Sequence, residues 1–336
     1  MNKDISILAI ETSCDETACA VVKNGKEVLS NVVSSQINTH SKFGGVIPEV
    51  AARLHVENIT FVMDEALALA KIPLDEIDGI AVTYGPGLIG CLHIGLQAAK
   101  TLCFLHNRPL IGVNHLAGHI YANSFITDFK FPLLSLVVSG GHSELVYMPD
   151  EYTFDVIGST CDDAIGEAYD KVARLLNLGY PGGPIIDNLA KKGELLYDFP
   201  IVKVNGKYDF SFSGLKSATI QLLKRLDKDN QSYKIEDIAC SFQNAVLTQL
   251  VEKAKRSLDD YQVNQFILAG GVAANSRLRQ LVQTDLQEIY KDIEMIIPPI
   301  WCCTDNAAMI AAAGYVAFKK GLYSDYYLSA NPSLSL

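Results

Sequence analysis

The chain has 336 residues, 49% of them hydrophobic and 20% charged, with no excess of Gly or Pro and no low-complexity run. It can bury one large core or two ordinary ones, and the composition excludes a disordered or collagen-like protein. A formal net charge of −10 argues against a protein that grips nucleic acid unaided, because phosphate binding rests on a basic surface.

Eight cysteines are scattered without a CxxC pair and read as reduced, mostly buried thiols. The opening MNKDISILAIETSCDE carries acids where a signal peptide needs an apolar core. The longest nearly uncharged helical run, Asn306 to Phe318, is too short to cross a bilayer. A cytoplasmic protein without a membrane partner is expected.

ISILAIETS, CDETACAVVKNG and KEVLSNVVSS are three β-rich runs separated by short polar turns, the pattern of an antiparallel meander. A helix near Glu49 to Ala70, a strand near Gly79 to Thr83, a helix near Gly90 to Leu105 and a strand at Pro109 to Val113 follow. From Phe131 the pattern restarts with PLLSLVVSGG, HSELVYMPDE and YTFDVIGST. Helices near Ile165 to Asn177, Ser213 to Leu226 and Ile235 to Leu258 come next, then a strand at Gln265 to Ala269 and a helix from Ala274. A meander followed by alternating helices and strands, occurring twice, predicts two α/β domains with a ligand cleft between them. The expected bounds are 1–130 and 131–303, with a C-terminal helix within 304–325, starting at Thr304, packed back on the first.

His115-Leu116-Ala117-Gly118-His119 places two imidazoles at i and i+4 on one helix face, where they can share a metal ion. With Asp305 they make a two-His, one-carboxylate set that suits Fe²⁺ or Zn²⁺ and leaves positions open for substrate. Cys302 and Cys303 are close enough in sequence to approach such an ion.

Gly85-Pro86-Gly87-Leu88-Ile89-Gly90 matches GxGxxG formally. A dinucleotide fold needs an acid about 20 residues on, yet no Asp or Glu lies between Asp78 and Asp128. Three antiparallel strands also precede the motif. Better nucleotide candidates are the turns opening each repeat. Val138-Ser139-Gly140-Gly141-His142 lets backbone N–H groups approach a phosphate. Glu11, Ser13 and Asp15 occupy the matching turn of the first half, where acids could hold Mg²⁺ or a metal-bound water. Ala269 to Asn275 forms a third strand–glycine–helix junction able to bind an anion or a flat base. Asp170 and Lys171 are read as opening a helix that runs into the Tyr180-Pro181-Gly182-Gly183-Pro184 turn, with Asp170 able to accept from a ribose hydroxyl.

Together these pieces resemble the TsaD family of tRNA N6-adenosine threonylcarbamoyltransferases, in the actin, Hsp70 and sugar-kinase superfamily. AIETSCDET, GGVIPEVAARLH, TYGPGLIGCLHIG, NHLAGH, VSGGHSELV, GEAYDKVARLL, YPGGP, FSFSGLKSA, AGGVAANSRLR and CTDNAAMIA occur in the family's order from about Ile10 to Ile310. The resemblance implies a duplicated actin-like α/β fold around a nucleotide and metal cleft. It makes His115, His119 and Asp305 the metal ligands. Val137, Val138, Ser139, Gly140 and Gly141 form the substrate-phosphate loop, and Asp170, Gly183, Asp187 and Asn275 contact the nucleoside. Glu11 and Asp15 fall in the family's opening motif, and His142 is a candidate proton acceptor or phosphate donor.

The implied reaction moves threonylcarbamoyl from threonylcarbamoyl-AMP to N6 of the adenine 3′ of the anticodon in tRNAs reading ANN codons, releasing AMP. The implied cofactor is one Fe²⁺ or Zn²⁺ per chain, with Mg²⁺ accompanying bound ATP, ADP or the adenylate as a second one. The implied partners are tRNA, an inactive TsaB-like paralogue, a small TsaE-like P-loop ATPase and the synthase that supplies the adenylate. Arg53, Lys216, Arg277 and Arg279 are candidate tRNA contacts. A metallopeptidase would need HExxH, but Leu116 stands where its Glu must be. A non-catalytic assembly subunit or a sugar kinase would have no use for the two-His helix.

Overall fold

The computed structural model describes residues 3–202 and 204–336. By contacts the chain divides into two compact units, one running to Phe129 and taking in Trp301–Leu336, the other spanning Lys130–Ile300.

The first unit begins with β1 (Ser6–Glu11), β2 (Glu16–Lys23) and β3 (Glu27–Ser35). After a one-turn α1 (Ile37–His40) come α2 (Pro48–Ala70), β4 (Gly79–Gly85), α3 (Ile89–His106), β5 (Leu110–Asn114) and α4 (His115–Tyr121). The sheet order is β3-β2-β1-β4-β5, with β1 antiparallel to β2 and parallel to β4. All six residues of β1 are buried, as an apolar strand covered on both faces requires.

The second unit restarts the plan with β6 (Leu133–Val138), β7 (Ser143–Met148) and β8 (Asp155–Ser159). It continues through α5 (Ile165–Leu175), α6 (Gly182–Ala190), α7 (Ser213–Lys228) and α8 (Ile235–Asp260). Then come β9 (Gln265–Ala269), α9 (Ser276–Leu281), α10 (Gln287–Ile289) and β10 (Glu294–Ile296). The order β10-β9-β6-β7-β8 is the first sheet read from the other edge, so β6 to β10 repeat β1 to β5 strand for strand. This mixed order also disposes of the dinucleotide fold that GxGxxG suggests: the strand before that loop is fourth, not first.

The short α11 (Ile300–Cys303) leads toward α12 (Ala307–Lys319). The expected start at Thr304 is three residues early. Asn306 is extended (φ −157°, ψ 159°) and its side chain accepts from Met309 N, so it caps the helix and leaves Asp305 in the turn before it. α12 lies on the first unit's sheet, where a Cβ on Gly314 would sit 2.6 Å from that of Ala81.

Three further boundaries differ from the sequence reading. Asp170 and Lys171 do not open a helix; they sit inside α5, which starts at Ile165, where Ser143 Oγ accepts from the backbone N–H. Gly182, Gly183 and Pro184 form the first turn of α6, because Asp170 Oδ1 accepts from Gly182 N at 2.7 Å. The helix expected from Ala274 starts at Ser276: Asn275 caps it by accepting from Arg277 N and Leu278 N.

In β7, burial pushes the Glu144 carboxyl up to about 7, and its Oε2 has no hydrogen-bond partner. An acid whose folded value is raised costs stability once it ionises, so stability falls as pH rises from about 4.5 to 7. Glu144→Gln is expected to raise stability above pH 7 by up to about 3 kcal/mol. The variant should match the wild type below pH 4.5, which denaturant unfolding at the two pH values checks.

Candidate metal centre and nucleoside pocket

His115 is the first residue of α4 and His119 lies one turn on, both buried. Asn114 caps that helix by accepting from Leu116 N. Between the two histidines stand Ala117 and Gly118, and their small size has a purpose. A Cβ on Gly118 would meet Ile310 Cδ1 at 2.6 Å, so a larger residue would require that side chain to shift where α4 packs on α12. The approach carries both imidazoles to the turn that holds Asp305.

His115 Nε2 lies 3.5 Å and His119 Nε2 3.1 Å from Asp305 Oδ1. One ligand atom from each residue falls within 4.8 Å of the others. Two donors about 2.1 Å from one tetrahedral ion lie roughly 3.4 Å apart, so the spacing fits a shared cation. Neither ring nitrogen of the buried His119 makes a hydrogen bond: Nε2 is near Asp305 but out of line for one. Buried polar atoms left this way are rare, and a metal ion is a partner that would use the Nε2 lone pair. The donor set is mixed nitrogen and oxygen; neither Cys302 nor Cys303 joins it.

Glu11 stands behind His115 rather than in an open position. Its Oε2 is 3.0 Å from His115 Nδ1 and accepts from Thr83 Oγ1, while Oε1 accepts from Ser13 N. A carboxylate on Nδ1 fixes the tautomer that turns Nε2 toward Asp305. With its oxygens taken by three donors, Glu11 is not placed as the Mg²⁺ ligand the turn suggested. Ser13 in turn is held by the GPGLIG loop, since Leu88 N donates to Ser13 O.

Burial alone would lower His115, but Asp305 and Glu11 raise it well above the usual imidazole range. Burial alone would raise Asp305, but His115 and His119 hold it well below the carboxylate range. Glu16, which the sequence reading passed over, is pushed up to about 10 by burial and by Asp305 and Asp15. Asp15 and Glu16 therefore add to a crowd of carboxyls that a divalent cation would relieve.

The nucleoside candidates gather in the second unit. A cavity of about 330 Å³ is lined by Gly140, Asp170, Gly183, Asp187 and Asn275, together with Tyr169, Tyr180 and Pro181 among others. That volume suits a small ligand. Ser139 and Gly140 carbonyls accept from Gly166 N and Glu167 N at the start of α5. A Cβ on Gly166 would come within 2.7 Å of Gly140 Cα, which explains the glycine there. Val137 and Val138 differ from the expectation of a loop: both lie within β6 with buried side chains, so they can offer a ligand only backbone. Gly141 and His142 complete the turn but do not line the cavity; His142 N donates to Ser139 Oγ.

The family model for TsaD, described as tRNA N6-adenosine threonylcarbamoyltransferase, matches residues 27–312. The chain belongs to the TsaD family. A relative of the same name from Listeria welshimeri is 58% identical over 337 residues, covering 100% of this chain and 98% of its own. Another, from Geobacillus kaustophilus, is 55% identical with the same coverage. Among solved structures, HypF of T. kodakarensis superposes with a TM-score of 0.63 at 15% identity, over 95% of this chain and 49% of that one. Component A of the Acidaminococcus fermentans (R)-2-hydroxyglutaryl-CoA dehydratase gives 0.55 at 16% identity, over 95% and 99%. At such identities these two establish the fold alone: a duplicated α/β fold.

Glu11→Gln is expected to weaken binding of Zn²⁺ or Fe²⁺ about 10- to 100-fold, measured by competition with a chelator, without removing a ligand. Metal affinity should also rise with pH through the raised His115 value, because the proton on that ring must leave. In the metal-free protein the sign is opposite. The His115 contribution to stability is full below the ordinary imidazole value near 6.5 and is lost as pH rises through the raised one. Titrating unfolding with and without metal reads both trends.

Proposed function

We propose that the chain transfers the threonylcarbamoyl group of threonylcarbamoyl-AMP to N6 of the adenosine 3′ of the anticodon in tRNAs reading ANN codons, releasing AMP. The observation that carries this reading is the mutually oriented set of buried His115 and His119 with half-buried Asp305 in a TsaD-family chain. A nucleotide-binding assembly subunit or a sugar kinase has no need of that set.

In this reading His115, His119 and Asp305 hold one Fe²⁺ or Zn²⁺, and Glu11 keeps His115 in the ligating tautomer. The bound ion would supply Lewis-acid polarisation of the acyl carbonyl. The cavity lined by Asp170, Gly183 and Asn275 takes the adenosine of the adenylate, and Mg²⁺ accompanies the nucleotide when ATP or ADP occupies it. The backbone N–H groups of Gly140 and Gly141 are left to face the phosphate, which departs with AMP; that of Ser139 donates to His142 O. His142 is the proposed acceptor of the N6 proton, since a weak amine nucleophile needs both positioning and a base.

The net charge of −10 leaves the chain short of the field that tRNA requires. We therefore place tRNA binding in a shared assembly with a TsaB-like paralogue and a TsaE-like ATPase, supplied by a separate adenylate synthase. The site of action is the cytoplasm; no described helix is long and apolar enough to cross a membrane.

The test is transfer of labelled threonylcarbamoyl from its adenylate to unmodified ANN-decoding tRNA with purified partners. Wild type should label the tRNA, and His115→Ala should lose at least about 100-fold in rate. A folded, metal-loaded wild type that labels nothing would overturn the reading in favour of an assembly subunit.

A further inference from the structure

Behind the nucleoside cavity lies a buried polar network with a residue at its centre that no motif marks. Gln243 projects from α8 with 4% of its surface exposed and does not line the cavity. Its Nε2 donates to Asp187 Oδ1 at 3.2 Å. Its Oε1 accepts from Asn275 Nδ2 at 2.9 Å and from the Tyr169 hydroxyl at 3.3 Å. Asp187, Asn275 and Tyr169 all line the cavity, so Gln243 touches three walls from outside.

The polarity of this network is fixed by one charge. Ionised, the Asp187 carboxylate can only accept, so the end of Gln243 that meets it must be the NH₂ group. The Gln243 carbonyl then faces Asn275 and can only accept, so Asn275 must turn its own NH₂ inward. That leaves Asn275 Oδ1 for Arg277 N and Leu278 N at the start of α9, where it accepts from both. Asp187 is itself anchored: Ser276 Oγ donates to Oδ1, and Ser276 N and Lys191 Nζ approach Oδ2 at 3.3 and 3.1 Å. An amide at 243 thus donates to one wall and accepts from the other, which an ionised carboxylate of the same length cannot do.

We propose that Gln243 is a positioning residue for the nucleoside site, setting the orientation of Asn275 and the seat of Asp187 for the adenosine of the substrate. The proposal rests on the reading of that cavity as the adenylate pocket. It assigns Asp187 a role the sequence resemblance did not: with Gln243 and Ser276 on Oδ1 and Ser276 and Lys191 on Oδ2, it organises the pocket wall more than it offers free acceptors.

The experiment uses full-length protein and AMP as the probe, with affinity measured by calorimetry and folding by thermal unfolding. Wild type should bind AMP. Gln243→Leu, which removes both polar ends, should weaken AMP at least about tenfold. Gln243→Glu keeps the shape but sets a carboxylate against Asp187. Its affinity relative to wild type should be poor at pH 8 and recover as pH falls and a proton is shared between the two acids, with Lys191 and the Tyr169 hydroxyl the other titratable groups facing them. A packing role alone would lower the melting temperature of both variants without that pH-dependent recovery.

Folded variants that bind AMP as wild type does overturn the proposal, as does a Gln243→Glu deficit that is flat with pH. If Gln243→Leu fails to fold, Gln243→Glu decides; failure of both to fold makes Gln243 a core residue and also overturns it. A folded wild type that binds neither AMP nor ATP removes the pocket reading itself, which is a separate result.

Discussion

The metal centre depends on how closely α4 approaches α12, with Gly118 packed at that contact. Gly118 faces Ile310 and Met309 across the contact, and a Cβ there would require the end of the Ile310 side chain to move. A shift of an ångström would carry His115 and His119 beyond reach of an ion that also binds Asp305. The two asparagines at the helix starts serve the same alignment: Asn114 precedes His115, Asn306 follows Asp305, and each caps its helix. Ligands are thereby placed at helix starts, where the backbone direction is fixed by the cap instead of by a mobile loop.

The same constraint explains why the first unit's opening motif is so acidic. Glu11, Asp15, Glu16 and Asp305 are brought together by the β1–β2 turn and the turn before α12. Burying like charges is costly, and the burden shows as a Glu16 carboxyl pushed up to about 10 by burial and its acidic neighbours. Protonation of His115 offsets part of that charge in the free protein. A divalent cation offsets more of it and needs the same nitrogen. Proton and metal therefore compete for one site, and the acids behind it set the terms.

Much of this was legible in the sequence because it is periodic or local. The strand meanders, the helices at 48–70 and 89–106 and the i, i+4 histidines all follow from side-chain spacing, and the repeat is borne out by matching sheet orders. What spacing could not give is which polar atoms meet. The start of α12 was misplaced because Thr304 and Asp305 look like ordinary N-terminal residues, whereas Asn306 captures Met309 N and ends the turn. The helix start expected near Ile165 holds, with Ser143, distant in sequence, accepting from Ile165 N, so Asp170 lies inside that helix and does not open one. Val137 and Val138 were grouped with the loop by motif, but their apolar side chains belong to the strand.

Glu11 and Gln243 show the harder limit. The first was visible as an acid in a turn, and only the fold reveals that it faces the back of His115. The second lies within a 26-residue helix whose sequence marks it as one polar residue among many. Each meets the back of a candidate ligand-binding residue and is placed to fix which end of that neighbour is presented: a ring nitrogen in one case, an amide in the other. Two halves with one strand plan thus share a device. In each, a carboxylate fixes which way round an imidazole or amide is presented, one bond behind the residues that line the candidate site.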